Sequence, residues 1–135
     1  MVVAGCAGTG GTSEEERQAR QNVANWSVRA RQLGEALDGD RLYSFCFELE
    51  AAVDEWEDGY YSDRERYRTP AMEALFAASL ALKSSVCSLT DIVRLPSERG
   101  RLPKELMWLS STVRCAQTIA RQEKIDDSEV FYDCL

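Results

Sequence analysis

Carboxylate side chains dominate one stretch near the middle of the chain. No lysine or arginine interrupts this run, whose members are Glu48, Glu50, Asp54, Glu55, Glu57 and Asp58. Residues three and four apart are neighbours on a helix, so one helical face would carry four of these acids: Glu50, Asp54, Glu57 and Asp58. Paired carboxylates can perform acid–base chemistry, but an acidic stripe is typical of a solvated face. The functional alternative is a surface that docks a basic partner.

The same stretch partly matches the calcium loop of an EF-hand. From Asp54 to Glu65, acids fall at loop positions 1 and 5, glycine at position 6 and glutamate at position 12, as that loop requires. Position 3 is Trp56, which offers no oxygen ligand. We therefore interpret the segment as the acidic end of a helix followed by a turn, and we expect neither a metal nor another cofactor.

An aromatic and basic connector follows the acidic run: Tyr60, Tyr61, Arg64, Arg66, Tyr67 and Arg68. Tyrosine and arginine are favoured anchors at protein interfaces. Together with the acidic face they predict a partner-binding surface made of Glu50, Asp54, Glu57, Asp58, Tyr60, Tyr61, Arg64 and Tyr67. The alternative is a polar turn whose tyrosines cover the end of a helical bundle.

Five cysteines occur in the chain, and no two of them have metal-ligand spacing. If Cys6 is set aside, an even number remains as disulfide candidates: Cys46, Cys87, Cys115 and Cys134. They could form two disulfides in an oxidising compartment, in any of three connectivities, or some could be free core residues. Because Cys134 lies in a polar tail beside Phe131 and Tyr132, we expect this tail to fold back and be held by a disulfide.

Two features of the composition exclude several functions. The chain has no histidine, which removes Ser-His-Asp and Cys-His catalysis as well as histidine-ligated zinc and haem. Its net charge is -7, whereas a protein that binds a phosphate backbone needs a basic face. We therefore predict a protein that is not an enzyme, has no catalytic residues and does not bind nucleic acid.

The N-terminal residues Val3-Ala4-Gly5-Cys6 resemble the lipobox of bacterial lipoproteins: an aliphatic residue, two small residues and a cysteine. The resemblance covers about the first twelve residues. It implies that Cys6 is lipidated, that Ala7 to Thr12 is a flexible tether, and that the protein is anchored in the cell envelope. It also requires a basic and then an apolar stretch upstream of Val3. The alternative is a disordered terminus with a chance match, which would favour a cytoplasmic protein.

Four segments after residue 12 have the apolar periodicity of amphipathic helices. The first begins at a capping box of Ser13 and Glu16 and ends at Asp38-Gly39-Asp40; its apolar stripe is Ala19, Val23, Trp26, Ala30, Leu33 and Leu37. The second ends at Gly59 and has the stripe Leu42, Phe45, Leu49, Ala52 and Trp56.

The third helix begins at Thr69-Pro70, which is a typical N-cap and first helical residue. It is apolar over most of its circumference, so we expect it to be the most buried, and Leu95-Pro96 ends it. The fourth helix, with Leu106, Leu109 and Val113, is predicted to end near Lys124.

These elements predict an all-α fold: a single up-down four-helix bundle over residues 13–135, with a flexible tail or tether over residues 1–12 and an acidic C-terminal tail. The expected function is a non-enzymatic helical binding or structural module with a protein partner, exported and tethered to the envelope by lipid. The alternative is a cytosolic acidic adaptor or inhibitor, such as a phage-encoded one, that binds a basic partner or mimics nucleic acid.

Overall fold

Helices account for nearly all of the structured chain. The computed structural model describes residues 13–135, and these contain no strand. Four long helices are α1 (Glu14–Ala36), α2 (Gly39–Ser62), α4 (Pro70–Arg94) and α5 (Leu102–Arg121). Two short helices are α3 (Arg64–Tyr67) and α6 (Val130–Cys134), and a 3-10 turn spans Pro96–Arg101. The predicted all-α class is confirmed, whereas the tether predicted over residues 1–12 lies outside the described part of the chain.

Side-chain caps begin three of the long helices. The Oγ of Ser13 accepts a hydrogen bond from the Glu16 amide at 3.0 Å, and the Oγ1 of Thr69 accepts one from the Met72 amide at 3.1 Å. Both caps are at the predicted residues. Asp38 caps α2 in the same way, after a reversal of the chain at Leu37, whose φ of 52° is left-handed.

Two helices end at residues other than those predicted. Gly59 does not end α2, which continues to Ser62. A Cβ at this position would lie 2.5 Å from Cζ of Tyr67, so the missing side chain gives room to the tyrosine ring.

The fourth long helix ends at Arg121 instead of near Lys124. Arg20 of α1 donates hydrogen bonds to the main-chain oxygens of Ala120 and Gln122. Because the last carbonyls of a helix lack partners within it, this guanidinium satisfies them and allows the chain to turn away.

The core is built around α4, which packs against α1, α2 and α5. Its fully buried side chains include Leu75, Leu82, Val86 and Leu89. By length and composition alone α4 could cross a membrane, since its most apolar stretch of 18 residues has a mean hydropathy of 1.3. Half of that stretch, however, is buried inside the structure. A core helix passes the same composition test, so the packing accounts for the apolar character of α4.

The long helices pack closely where α1 meets α5, and they leave a gap between α1 and α2. Helix α1 packs closely on α5, where a Cβ at Gly34 would lie 2.7 Å from Cδ2 of Leu109. After α5 the chain folds back, burying Ile125 and Phe131. Helices α1 and α2 contact each other much less extensively than they contact α4, and a cleft lies between them.

Candidate functional site

The four acids of the predicted face all lie on α2, and all are exposed to solvent: Glu50, Asp54, Glu57 and Asp58. Within residues 13–135 none of them forms an ion pair. Neighbouring carboxylates without a cation between them repel each other. No ion pair within the described residues covers this face, so its acids are accessible to a basic partner.

Glu48 differs from the rest of the acidic run, because α1 supplies it with a cation. The guanidinium of Arg29 donates to both carboxylate oxygens, at 2.8 and 3.0 Å, and lies 4.2 Å from the centre of the Phe45 ring. Hydrogen bonding to Arg29 lowers the pKa of Glu48 below its usual value. No lysine or arginine lies within the acidic run of the sequence, but the fold places Arg29 of α1 beside Glu48, the first acid of the run.

The segment that resembles a calcium loop is helical from Asp54 to Ser62. An EF-hand needs those residues in a loop, so that their oxygens converge on one ion. In the structure Asp54 and Asp58 lie on α2, whereas Glu65 lies on the separate helix α3, so the segment has the form of an acidic helix end and not of that loop.

The connector is more ordered than a simple turn. The Arg68 guanidinium lies 4.3 Å from the centre of the Tyr60 ring, and Tyr60 meets Tyr61 edge to face at 5.5 Å. Tyr61 and Arg64 are exposed. Tyr67 instead turns inward and lines the cleft.

All four disulfide candidates lie in pairs at bonding distance. Cys46 of α2 pairs with Cys87 of α4, with Cα atoms 5.0 Å apart. Cys115 of α5 pairs with Cys134 of α6, with Cα atoms 5.7 Å apart. The sequence left three connectivities open, and the structure has this one. The tail folds back against α5 as predicted, whereas Cys6 lies outside the described residues.

The cleft between α1 and α2 was not predicted as a site. It has a volume of about 350 Å³, and its aromatic and apolar lining includes Trp26, Trp56, Tyr67 and Met72. The carboxylates of Glu14, Glu15 and Glu55 also line it. The periodicity placed both tryptophans on core stripes, and no sequence signal showed that the two stripes would face each other across a gap.

One polar group at this cleft has no partner. Trp56 is 8% exposed, and among the described residues its Nε1–H has no hydrogen-bond acceptor. Arg66 of the connector donates to Glu15 at 2.7 Å and so ties α3 to the first turn of α1. The cleft thus combines an aromatic surface with carboxylates.

Comparison of the chain with protein-family models, with curated proteins and with solved structures finds no match.

Proposed function

We propose that the chain is an exported, non-enzymatic helical binding module, anchored to a bacterial envelope through a lipid on Cys6. The observation that carries this proposal is the pairing of Cys46 with Cys87 and of Cys115 with Cys134. Disulfides persist in the periplasm and on cell surfaces, whereas the cytosol keeps thiols reduced. The lipobox-like sequence at Val3 to Cys6 gives the same location on independent grounds.

The module that we propose is an up-down bundle of the four long helices. The short link between α1 and α2 supports this arrangement, since short connections join antiparallel neighbours. Such a scaffold fixes the relative positions of α1 and α2. Both helices line the cleft, and α2 also carries the acidic face.

The anchor is tested by Cys6→Ser, expressed from the natural gene with its upstream sequence. The wild type should sediment with membranes and partition into detergent, because a thioether-linked lipid holds it there. The serine variant should lose this partitioning, and the double variant Cys115→Ser with Cys134→Ser, which removes two cysteines without leaving an unpaired thiol, should keep it. Equal partitioning of the wild type and Cys6→Ser would contradict the lipid anchor.

We propose that the acidic face of α2 contributes to partner binding. Replacing Glu50, Asp54 and Glu57 by glutamine should slow association with a basic partner roughly tenfold at low salt and weaken its salt dependence. The fold should stay intact or become slightly more stable, since like-charge repulsion is removed.

A second triple variant controls for the change in net charge. Asp40→Asn, Asp91→Asn and Glu123→Gln neutralises three exposed acids elsewhere, and it should leave association nearly unchanged. The measurement compares the partners that the wild type and each variant capture from an envelope extract. An identical partner set for all three proteins would mean that the face serves only solvation.

A further inference from the structure

We propose that the cleft between α1 and α2 binds an organic ammonium group, either of a small molecule or of a lysine side chain. The inference deepens the proposed binding function by naming a ligand class, and it does not depend on export or lipidation. It is carried by the lining of the cleft, which combines aromatic rings with carboxylates.

The apolar part of the lining suits a cation rather than a neutral polar ligand. Aromatic faces attract ammonium groups through the ring quadrupole, and tryptophan does so most strongly. Trp26, Trp56 and Tyr67 all contribute to the cleft. The volume of about 350 Å³ lies near the lower limit of small-molecule sites, so the ligand is an amine-bearing group of modest size.

The charged part of the lining determines the sign of the ligand. Three carboxylates line the cleft, and two of them have partners: Glu14 pairs with Arg17 and Glu15 with Arg66. Glu55 forms no ion pair within residues 13–135, and it is exposed at the cleft. Glu55 is therefore the carboxylate that we assign to the ammonium group.

The Trp56 indole is a buried polar group among the residues that line the cleft. Its Nε1–H is shielded from solvent and lacks an acceptor among the described residues, and a buried donor left unsatisfied is unfavourable. Because this indole lines the cleft, its N–H resonance reports on whether a ligand binds there.

The test uses the oxidised full chain, with Trp108→Phe introduced so that the two remaining tryptophans, Trp26 and Trp56, both line the cleft. Choline and Nα-acetyl-lysine amide, whose side-chain ammonium group is free, are titrated separately while the indole fluorescence and the indole N–H resonances are followed. Saturable binding of either probe, with a shift of the Trp56 resonance, is the expected result, and the tighter probe identifies the source of the ammonium group. No saturable change with either probe up to roughly 10 mM would overturn the proposal.

Two comparisons separate recognition of the cation from general effects. Glu55→Gln should weaken binding about tenfold, since a charge-assisted contact is lost. Asp40→Asn, at an exposed acid of α2 that neither lines the cleft nor belongs to the acidic face, should leave binding unchanged. Equal loss in both variants would overturn the assigned site.

The neutral isostere 3,3-dimethylbutanol provides a comparison that needs no variant and so cannot be confused with misfolding. It has the shape of choline without the charge, and it should bind at least tenfold more weakly. Binding as tight as that of choline would overturn the assignment of a cation. Failure of these tests would leave the proposed export untouched, because they are made on purified protein.

Discussion

Reduction of both disulfides is expected to lower the melting temperature by roughly 20 °C or more. The bonds close loops of 41 and 19 residues in sequence separation. By loop entropy they contribute about 3 to 4 kcal/mol each, because they restrict the unfolded chain. The measurement is thermal unfolding by circular dichroism, with and without a reductant.

Two double variants measure how much each disulfide contributes to the melting temperature. Cys46→Ser with Cys87→Ser removes the longer loop, and Cys115→Ser with Cys134→Ser removes the shorter one. Each should lower the melting temperature in the absence of reductant, and a protein with all four serines should be insensitive to reductant. An unchanged melting temperature of the wild type on reduction would contradict the role of these bonds in the fold.

Leu89→Asp should destabilise the protein by about 4 kcal/mol or more, because it removes a buried leucine and places a carboxylate in the core. Leu89 is fully buried on α4, the helix that packs against α1, α2 and α5. The denaturant midpoint, followed by far-UV circular dichroism, measures the loss.

Ser84→Asp is the matched control, since it introduces the same side chain at an exposed position of the same helix. It should change the free energy of unfolding by no more than about 0.5 kcal/mol. Equal midpoints for Leu89→Asp and the wild type would mean that α4 is not the centre of the core.

Local sequence signals were sufficient for the parts of the fold that depend on neighbours in the chain. Ser13 and Thr69 cap their helices with the hydrogen bonds that their types predict. The third predicted helix is apolar over most of its circumference, which indicated its burial. The hydrophobic pair at Phe131 and Tyr132 beside Cys134 indicated that the tail would return to the bundle, where Phe131 is fully buried.

Features that depend on which helices meet could not be predicted. Gly59 has the composition of a helix end, yet it serves as the packing surface for Tyr67. Glu48 belongs to an unrelieved acidic run in the sequence, but Arg29 reaches it from another helix. The disulfide pairing follows from the contacts of α2 with α4 and of α5 with α6, and four cysteines in a sequence do not encode those contacts.

The candidate site likewise has one part that could be predicted from the sequence and one part that could not. The sequence identified the acidic face, because helical spacing alone defines it. It assigned Trp26 and Trp56 to apolar stripes and gave no sign of the gap between those stripes. A cleft is a property of two helices that fail to close against each other, and this geometry depends on how each of them packs on α4.

The most direct test of the central claim is a peptide map of unreduced protein taken from the cell envelope, with free thiols blocked at lysis. Export into an oxidising compartment predicts two cross-linked peptide pairs, one joining Cys46 to Cys87 and the other joining Cys115 to Cys134, with no blocked thiol at these positions. Blocked thiols at all four cysteines, or cross-links in another pairing, would contradict the account.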